Sequence, residues 1–244
     1  MKAVVPTTAR PGPARSGRAW RRAGAALLVL ALVLAGGLGY SVWRDHTVMA
    51  EGQQEAGAEL VQAWAGQQAA PARSVTAGLA EGDPFARIQI PRFGDDWSCT
   101  ILQGTSQDVL ARGPGHYPRS ADPGELGNFA LAGHRVGPAG VFDRAAELQP
   151  CDPIVVTTAT TRYTYKVLPY PGADATGCDL PAAATVGRQI VSPDASEVLN
   201  PVPGQAADTP PAAALITLTT CHPRYSAQQR MIIHGVLVAE TTLA

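Results

Sequence analysis

Residues 23–43 of this 244-residue chain, AGAALLVLALVLAGGLGYSVW, contain no charged side chain. A helix of about 20 apolar residues is long enough to cross the hydrocarbon core of a bilayer. A cleaved signal peptide has a shorter apolar core and a small-residue cleavage site, and a buried core helix is shorter and amphipathic. The length of the run therefore favours a membrane anchor over both alternatives.

Charge is divided at the same segment. Residues 1–44 carry seven Lys or Arg and no Asp or Glu, whereas residues 45–244 carry twelve basic and twenty acidic side chains. Because basic residues mark the cytoplasmic side of a membrane helix, the sequence predicts a cytoplasmic N-terminus and an extracellular remainder. That acidic remainder has no basic stripe, which argues against nucleic acid as a partner.

Four regions follow from these patterns. We predict a basic cytoplasmic tail at residues 1–22, a transmembrane anchor at 23–43, an extracellular stalk and linker at 44–83, and a globular domain at 84–244. The stalk begins as a helix whose apolar stripe is narrow, so we expect either a marginal helix or one that packs only lightly on the domain. The domain has about 160 residues, which is enough for one hydrophobic core.

The domain alternates short apolar runs, such as DPIVVTT and TRYTYKVL, with Gly, Pro and Asp. This spacing predicts a mostly β fold, either a barrel or a sandwich. Two short helices are predicted at SQDVLARG and VFDRAAEL, with Ser106 and Asp143 as their N-caps.

The run ALITLTTC predicts a strand that ends at Cys221, since the polar loop HPRYSAQQ follows it. A second strand, RMIIHGVLV, begins at Arg230, so a hairpin would make these two residues neighbours. A thiolate is the nucleophilic form of cysteine, and the oxyanion that its attack creates needs positive charge or hydrogen-bond donors. Arg230 supplies both, because a guanidinium stays protonated in proteins.

A leaving amine also needs a proton donor, and histidine is the usual one. His134 ends the run NFALAGH, whose small alanines leave room for a ligand, and we prefer it to His116 in GPGHYP. Each of these residues taken singly is more often structural, and only their combination in space would indicate a site.

Taken together, LAGHR, TLTTC and the following Arg230 resemble the sortases, a family of cell-wall cysteine transpeptidases. ARIQIPRF, GPGHYP and TYKV match in the same order, over about residues 84–240. TLTTCHP with GPGHYP is most similar to class E, and class D is the nearer rival. The resemblance implies a closed eight-stranded β-barrel with a few short helices, preceded by an N-terminal transmembrane helix.

The resemblance also implies a reaction. A sortase cleaves a C-terminal Leu-Ala-x-Thr-Gly or Leu-Pro-x-Thr-Gly sorting signal after Thr, forms a thioester, and transfers the protein to an amine of a peptidoglycan precursor. Cys221 matches the nucleophile, His134 the acid–base, and Arg230 the contact to substrate and oxyanion. Tyr117 and Thr220 match positions near the substrate groove.

The implied partners are secreted proteins with that signal, the amine acceptor and the cell membrane of a Gram-positive bacterium. We expect a single-pass, monomeric enzyme with its catalytic domain outside the cell. No cofactor is expected, and no metal, because the sequence lacks the family's acidic calcium cluster. VGPAGVF after GHR and an insertion at residues 171–188 depart from the family pattern, which leaves the preferred signal open.

Three further cysteines lie outside these motifs. Disulfides persist outside the cell, and one interpretation is a Cys151–Cys178 bond that tethers the insertion while Cys99 stays free and buried. The other leaves all three unpaired, because connectivity cannot be read from sequence.

Other functions that use a cysteine fit less well. Papain-like proteases place Cys before His and carry a Cys-Gly-Ser-Cys-Trp-like motif, and L,D-transpeptidases carry a Ser-His-Gly-Cys-like run. This chain has His134 first and neither motif. A non-catalytic adhesion module would not need Cys221, His134 and Arg230 together. A secreted-face cysteine protease and a pilin-polymerising sortase remain the alternatives.

Overall fold

The computed structural model describes residues 16–67, 74–137 and 139–243. Most of the predicted cytoplasmic tail therefore lies outside the described residues. The chain forms two compact units that meet between Trp43 and Arg44. In the first unit, the helical window Gly24–Ser41 has a mean hydropathy of 1.9 and none of it is buried, so it is long and apolar enough to cross a membrane.

The first helix, α1 (Ser16–Gln67), continues into the second unit and packs there on the domain. Ala56 and Leu60 are fully buried. The Gln53 amide donates to the carbonyl oxygens of Thr100 (3.2 Å) and Arg112 (2.7 Å), and its own oxygen accepts from the Thr100 amide (2.7 Å). The predicted stalk helix therefore packs on the domain through a few apolar residues and the polar side chain of Gln53.

The second unit is a β-barrel. Its strands are β1 (Pro84–Gln89), β2 (Ser98–Gln103), β3 (Gly115–His116), β4 (Gly127–Ala132), β5 (Pro153–Thr157), β6 (Thr161–Val167), β7 (Arg188–Val191), β8 (Ala214–His222) and β9 (Gln229–Thr242). The order is β6-β5-β1-β2-β3-β4-β8-β9, and pairing of β6 with β9 closes the sheet. The predicted eight-stranded barrel is confirmed, and β7 is a ninth strand beside the first part of β9.

Helices are short in this unit. They are α2 (Gln107–Arg112) and the 3-10 turns Pro91–Phe93, Ala145–Glu147 and Ser196–Leu199. Ser106 caps α2 as predicted, since its hydroxyl accepts from the Val109 amide. The prediction of Asp143 as a cap is wrong, because the turn begins after Arg144 and the Asp143 carboxylate pairs with Arg224 instead.

Alternation along β4 and β8 separates the core from the outer wall. Phe129 and Leu131 of β4 and Ile216 and Leu218 of β8 belong to the main hydrophobic core. Neighbouring residues on a strand point to opposite faces. The alanines and threonines between them therefore lie on the opposite face of the sheet. We call this face the wall, and it leads towards Cys221.

Candidate active site

The β8–β9 hairpin brings the first two candidate residues together. Cys221 and Arg230 are direct partners in the antiparallel register, and the pair His222 and Gln229 closes the ladder. Pro223 has no amide hydrogen to donate, which ends the pairing there. Cys221 is partly exposed, so the predicted hairpin leaves its thiol accessible at the strand end.

His134 approaches from β4. This strand runs parallel to β8 with Ala132 opposite Thr219, and the Gly133 amide donates to the Thr219 carbonyl (3.1 Å). His134 follows this bond by one residue, just beyond the end of β4, on the side of the barrel where β8 reaches Cys221. The ring is half-buried, and desolvation lowers its pKa below the ordinary value, which favours a neutral imidazole at pH 7.

Arg230 keeps a charge that is not neutralised by a carboxylate. Its Nη1 donates to the carbonyl oxygens of Ala227 (2.9 Å) in the preceding loop and of Gln229 (3.0 Å) at the start of β9. Within the part of the chain that the structure describes, no acidic side chain forms an ion pair with it. The guanidinium charge is thus available to an anion that forms at Cys221.

His116, the less preferred candidate, is a different kind of residue. It is fully buried, with Nδ1 2.8 Å from the Gln103 side-chain oxygen and Nε2 2.9 Å from the Ser120 hydroxyl. Its ring packs against Phe85 and Phe129. Burial lowers its pKa, and this setting is that of a structural histidine with no access to a substrate.

The two predicted groove residues lie on opposite sides of β8. The Tyr117 hydroxyl is 3.1 Å from the Thr219 hydroxyl, on the same face of the strand as Cys221. Thr220 faces the other way, and its hydroxyl donates to the Gly133 carbonyl (2.8 Å). Thr220 therefore supports the backbone just before His134.

A buried polar chain braces the three strands that carry the candidate site. The Thr217 hydroxyl of β8 donates to the Asn128 side-chain oxygen of β4 (2.6 Å) and lies 2.8 Å from His234 Nδ1 of β9. Since the hydroxyl hydrogen is used on Asn128, Nδ1 must be the donor to Thr217. Nε2 then accepts from the Gln189 amide of β7 (3.1 Å), so the chain of bonds is complete with a neutral His234.

Sequence reasoning did not identify Arg135, which follows His134. Only 7% of its surface is exposed, and Nη1 donates to the Cys221 carbonyl (3.2 Å) and to His222 Nδ1 (2.8 Å). Asp143 and Arg224 form an ion pair between the two neighbouring loops. The sequence did contain an indication of this burial. Alternation continued from NFALAGH places Arg135 on the face opposite His134, which is the face that packs into the barrel.

The barrel domain has relatives among known proteins. Residues 88–238 match the Sortase domain family. The chain belongs to the sortase family. It is similar to Sortase SrtE1 of Streptomyces coelicolor, with 33% identity over 208 residues, 82% of this chain and 52% of that protein. This sortase thus spans about half the length of that curated relative.

Solved structures agree with the barrel. The SrtF sortase from Corynebacterium diphtheriae superposes with a TM-score of 0.65 at 33% identity, over 73% of this chain and 95% of that chain.

Sortase D of Bacillus subtilis is 32% identical over 87 residues, 36% of this chain and 41% of that protein. The longer match to SrtE1 supports the predicted resemblance to class E, with class D as the rival.

The insertion of this sortase, residues 171–188, is tethered by a disulfide at Cys178 and by β7 at its end. Cys151 and Cys178 form a disulfide with a Cα separation of 5.7 Å, the first of the two interpretations drawn from the sequence. Cys99 is free and buried, and burial raises its pKa to about 12. At its C-terminal end the segment enters β7, where Val191 pairs with Arg230. The insertion therefore borders the candidate site.

Proposed function

We propose that this sortase is a membrane-anchored cysteine transpeptidase that cleaves a C-terminal sorting signal after Thr and joins the protein to an amine of a peptidoglycan precursor. The observation that carries the proposal is the pairing of Cys221 with Arg230 at the end of the barrel, with His134 two residues beyond the end of the adjacent strand β4, in a member of this family. A free, accessible thiol beside an uncompensated cation is what nucleophilic attack on a carbonyl requires.

The proposed reaction has two halves. His134 takes the Cys221 proton as the sulfur attacks the Thr carbonyl, and the Arg230 guanidinium stabilises the oxyanion. The oxyanion collapses to a thioester, and the same proton passes from His134 to the leaving Gly amine. The acceptor amine then attacks the thioester and gives a proton to His134, which returns it to the departing Cys221 sulfur.

Tyr117 and Thr220 are proposed to act differently in substrate binding. The Tyr117 hydroxyl faces the wall that a bound peptide would follow, so it is a candidate for direct contact. Thr220 is nine-tenths or more buried, and its hydroxyl is already bonded to Gly133, so any effect on substrate would pass through that backbone. We propose that the signal is of the Leu-Ala-x-Thr-Gly or Leu-Pro-x-Thr-Gly type, as the membership of the sortase family implies.

We propose that residues 23–43 anchor the enzyme in the membrane with the domain outside. Trp20 lies near one end of the apolar helix, and Tyr40 and Trp43, whose ring centroids are 5.9 Å apart, lie at the other. Trp20 and Tyr40 are separated by about 30 Å at 1.5 Å per residue, the thickness of the hydrocarbon core. Aromatic side chains favour the two interfaces of a bilayer. The basic tail would contact anionic lipid.

The test is transfer by the full-length protein in detergent. The enzyme is incubated with a Leu-Ala-x-Thr-Gly or Leu-Pro-x-Thr-Gly peptide, with and without a peptidoglycan-type amine, and products are identified by mass. We expect an amide between Thr and the added amine, and the relative turnover of the two peptides will give the preferred signal. Cleavage without transfer at any amine concentration would indicate a cysteine protease instead. An absence of cleavage after Thr would reject the proposal.

A further inference from the structure

Arg135 is a buried cation whose bonds go to the residues around the nucleophile. Nη1 contacts the Cys221 carbonyl (3.2 Å) and His222 Nδ1 (2.8 Å), and the Nε atom has no partner within the described residues. The nearby carboxylate of Asp143 is paired through Oδ2 with Arg224, and its buried Oδ1 has no hydrogen-bond partner among the described residues. Desolvation and the charge of Arg224 lower the pKa of Arg135, whereas the charge of Asp143 raises it. Among the described residues, the hydrogen bonds of Arg135 therefore go only to the end of β8.

We propose that Arg135 is a positioning residue that fixes the end of β8 and so holds the Cys221 thiol in place for attack. The proposal rests on the proposed role of Cys221 as the nucleophile. Arg135 does not contact the substrate or the reacting atoms, and it acts through the backbone of Cys221 and the ring of His222.

The geometry explains why one guanidinium suffices. Cys221 and His222 point to opposite faces of the strand, so a group bonded to the carbonyl of one and the ring of the other restrains the peptide unit between them. This is also the last paired position, since Pro223 cannot extend the ladder. A strand end without such a restraint frays, and fraying would move the thiol relative to His134.

The state of His222 is part of this restraint. Nδ1 accepts from Arg135, so the ring hydrogen of the neutral form is on Nε2. Desolvation lowers the pKa of His222, and the Arg135 charge acts in the same direction. An asparagine at this position can present its side-chain oxygen close to where Nδ1 lies, whereas a phenylalanine cannot accept at all.

Two pairs of variants in the full-length protein separate positioning from folding. Arg135→Met removes both bonds, and Arg135→Lys keeps the charge without the planar fork. His222→Phe removes the acceptor, and His222→Asn retains one. Arg112→Met is the matched control, because Arg112 is also partly buried, donates to the Gly82 carbonyl, and has a buried Nε without a partner among the described residues.

The readouts are thermal stability, kcat and KM for cleavage of a sorting-signal peptide, and iodoacetamide alkylation mapped to Cys221 by mass. We expect Arg135→Met to lower kcat about tenfold to a hundredfold with little change in KM, as for a lost hydrogen bond to a charged group. Its rate of Cys221 alkylation at pH 7 should fall. Arg135→Lys and His222→Asn should recover part of both effects, and His222→Phe should not.

Arg112→Met should lower thermal stability while both Cys221 readouts stay at the wild-type level. The proposal is overturned if Arg135→Met alkylates like the wild type at pH 7, or if its losses follow stability alone, as in Arg112→Met. It is also overturned if His222→Asn is as impaired as His222→Phe. Should the wild type not cleave the peptide, the proposed function fails, and alkylation of Cys221 still decides the role of Arg135.

Discussion

Protonation of His234 should loosen the brace beneath the candidate site. Its ring is fully buried and neutral, because Nδ1 donates to Thr217 while Nε2 accepts from Gln189. A second ring proton would direct an N–H at the Gln189 amide, in a place that water does not reach. Acid should therefore destabilise the strands that carry Cys221, His134 and Arg230 before it affects exposed groups.

The magnitude follows from the pKa of His234, which burial lowers from 6.5 to about 4. A lowered pKa means that the unfolded chain binds the proton more tightly, so this stabilisation is present above pH 6.5 and is lost as pH falls towards 4. At about 1.36 kcal/mol per unit, the full loss is roughly 3 kcal/mol, of which about 2 kcal/mol falls between pH 7 and pH 5.

The test compares the wild type with His234→Asn, whose side chain cannot take up a proton in this range. The free energy of unfolding is measured by guanidinium titration, with near-UV circular dichroism, at pH 7 and pH 5. The variant should be less stable at pH 7, by about 1–3 kcal/mol, because Gln189 loses its acceptor. Its further loss at pH 5 should be smaller than that of the wild type by about 2 kcal/mol.

Other titrating groups, including the buried His116, are present in both proteins, so the difference of the two slopes isolates His234. Equal losses between pH 7 and pH 5 would refute the reasoning. They would mean either that His234 is already charged in the folded state or that its environment does not oppose the charge.

Three further outcomes follow from the same account. His134→Ala should lower kcat/KM for the sorting-signal peptide by several orders of magnitude. His116→Ala should lower it far less, measured on the folded fraction, and the reverse ranking would mean that His134 is not the acid–base. Arg230→Lys should be at least about tenfold slower, because lysine keeps the charge but not the planar fork, and wild-type kinetics would contradict a bidentate role. Protease added to intact, wall-stripped cells should digest residues 44–244 and leave a short membrane fragment. A protected full-length chain would mean the inverted orientation, and a soluble protein that starts after residue 40 would mean a cleaved signal peptide.

Local patterns were sufficient for the hairpin at the centre of the site. Alternation in ALITLTTC, the proline at 223 and the new apolar run at Arg230 defined two strands and their turn, and the structure pairs Cys221 with Arg230 directly. The barrel closure could not be obtained in this way. Pairing of β4 with β8 joins residues about ninety positions apart in sequence, and periodicity carries no information about such partners. The resemblance to the sortases supplied that part.

The missed residues share one physical cause, which is that their hydrogen-bond or ion-pair partners are distant in sequence. Arg135 is buried because the Cys221 carbonyl and the His222 ring accept its hydrogen bonds. Asp143 failed as a helix cap because Arg224, distant in sequence, offered its carboxylate a stronger partner. Gln53 was one of several polar residues on a predicted stalk helix, and its bonds to the Thr100 backbone became apparent only when the helix was seen on the barrel.

The proposed mechanism depends on a thioester between Cys221 and the Thr of a sorting signal. Full-length enzyme is mixed with a Leu-Ala-x-Thr-Gly peptide without an amine, quenched in acid, digested and mapped by mass. The account predicts that the peptide containing Cys221 gains the mass of the signal up to Thr, that hydroxylamine removes this mass, and that Cys221→Ala carries none. The buried Cys99 should remain unmodified in the same sample. Signal cleavage at an undiminished rate in Cys221→Ala, or an adduct on any other residue, would contradict the account.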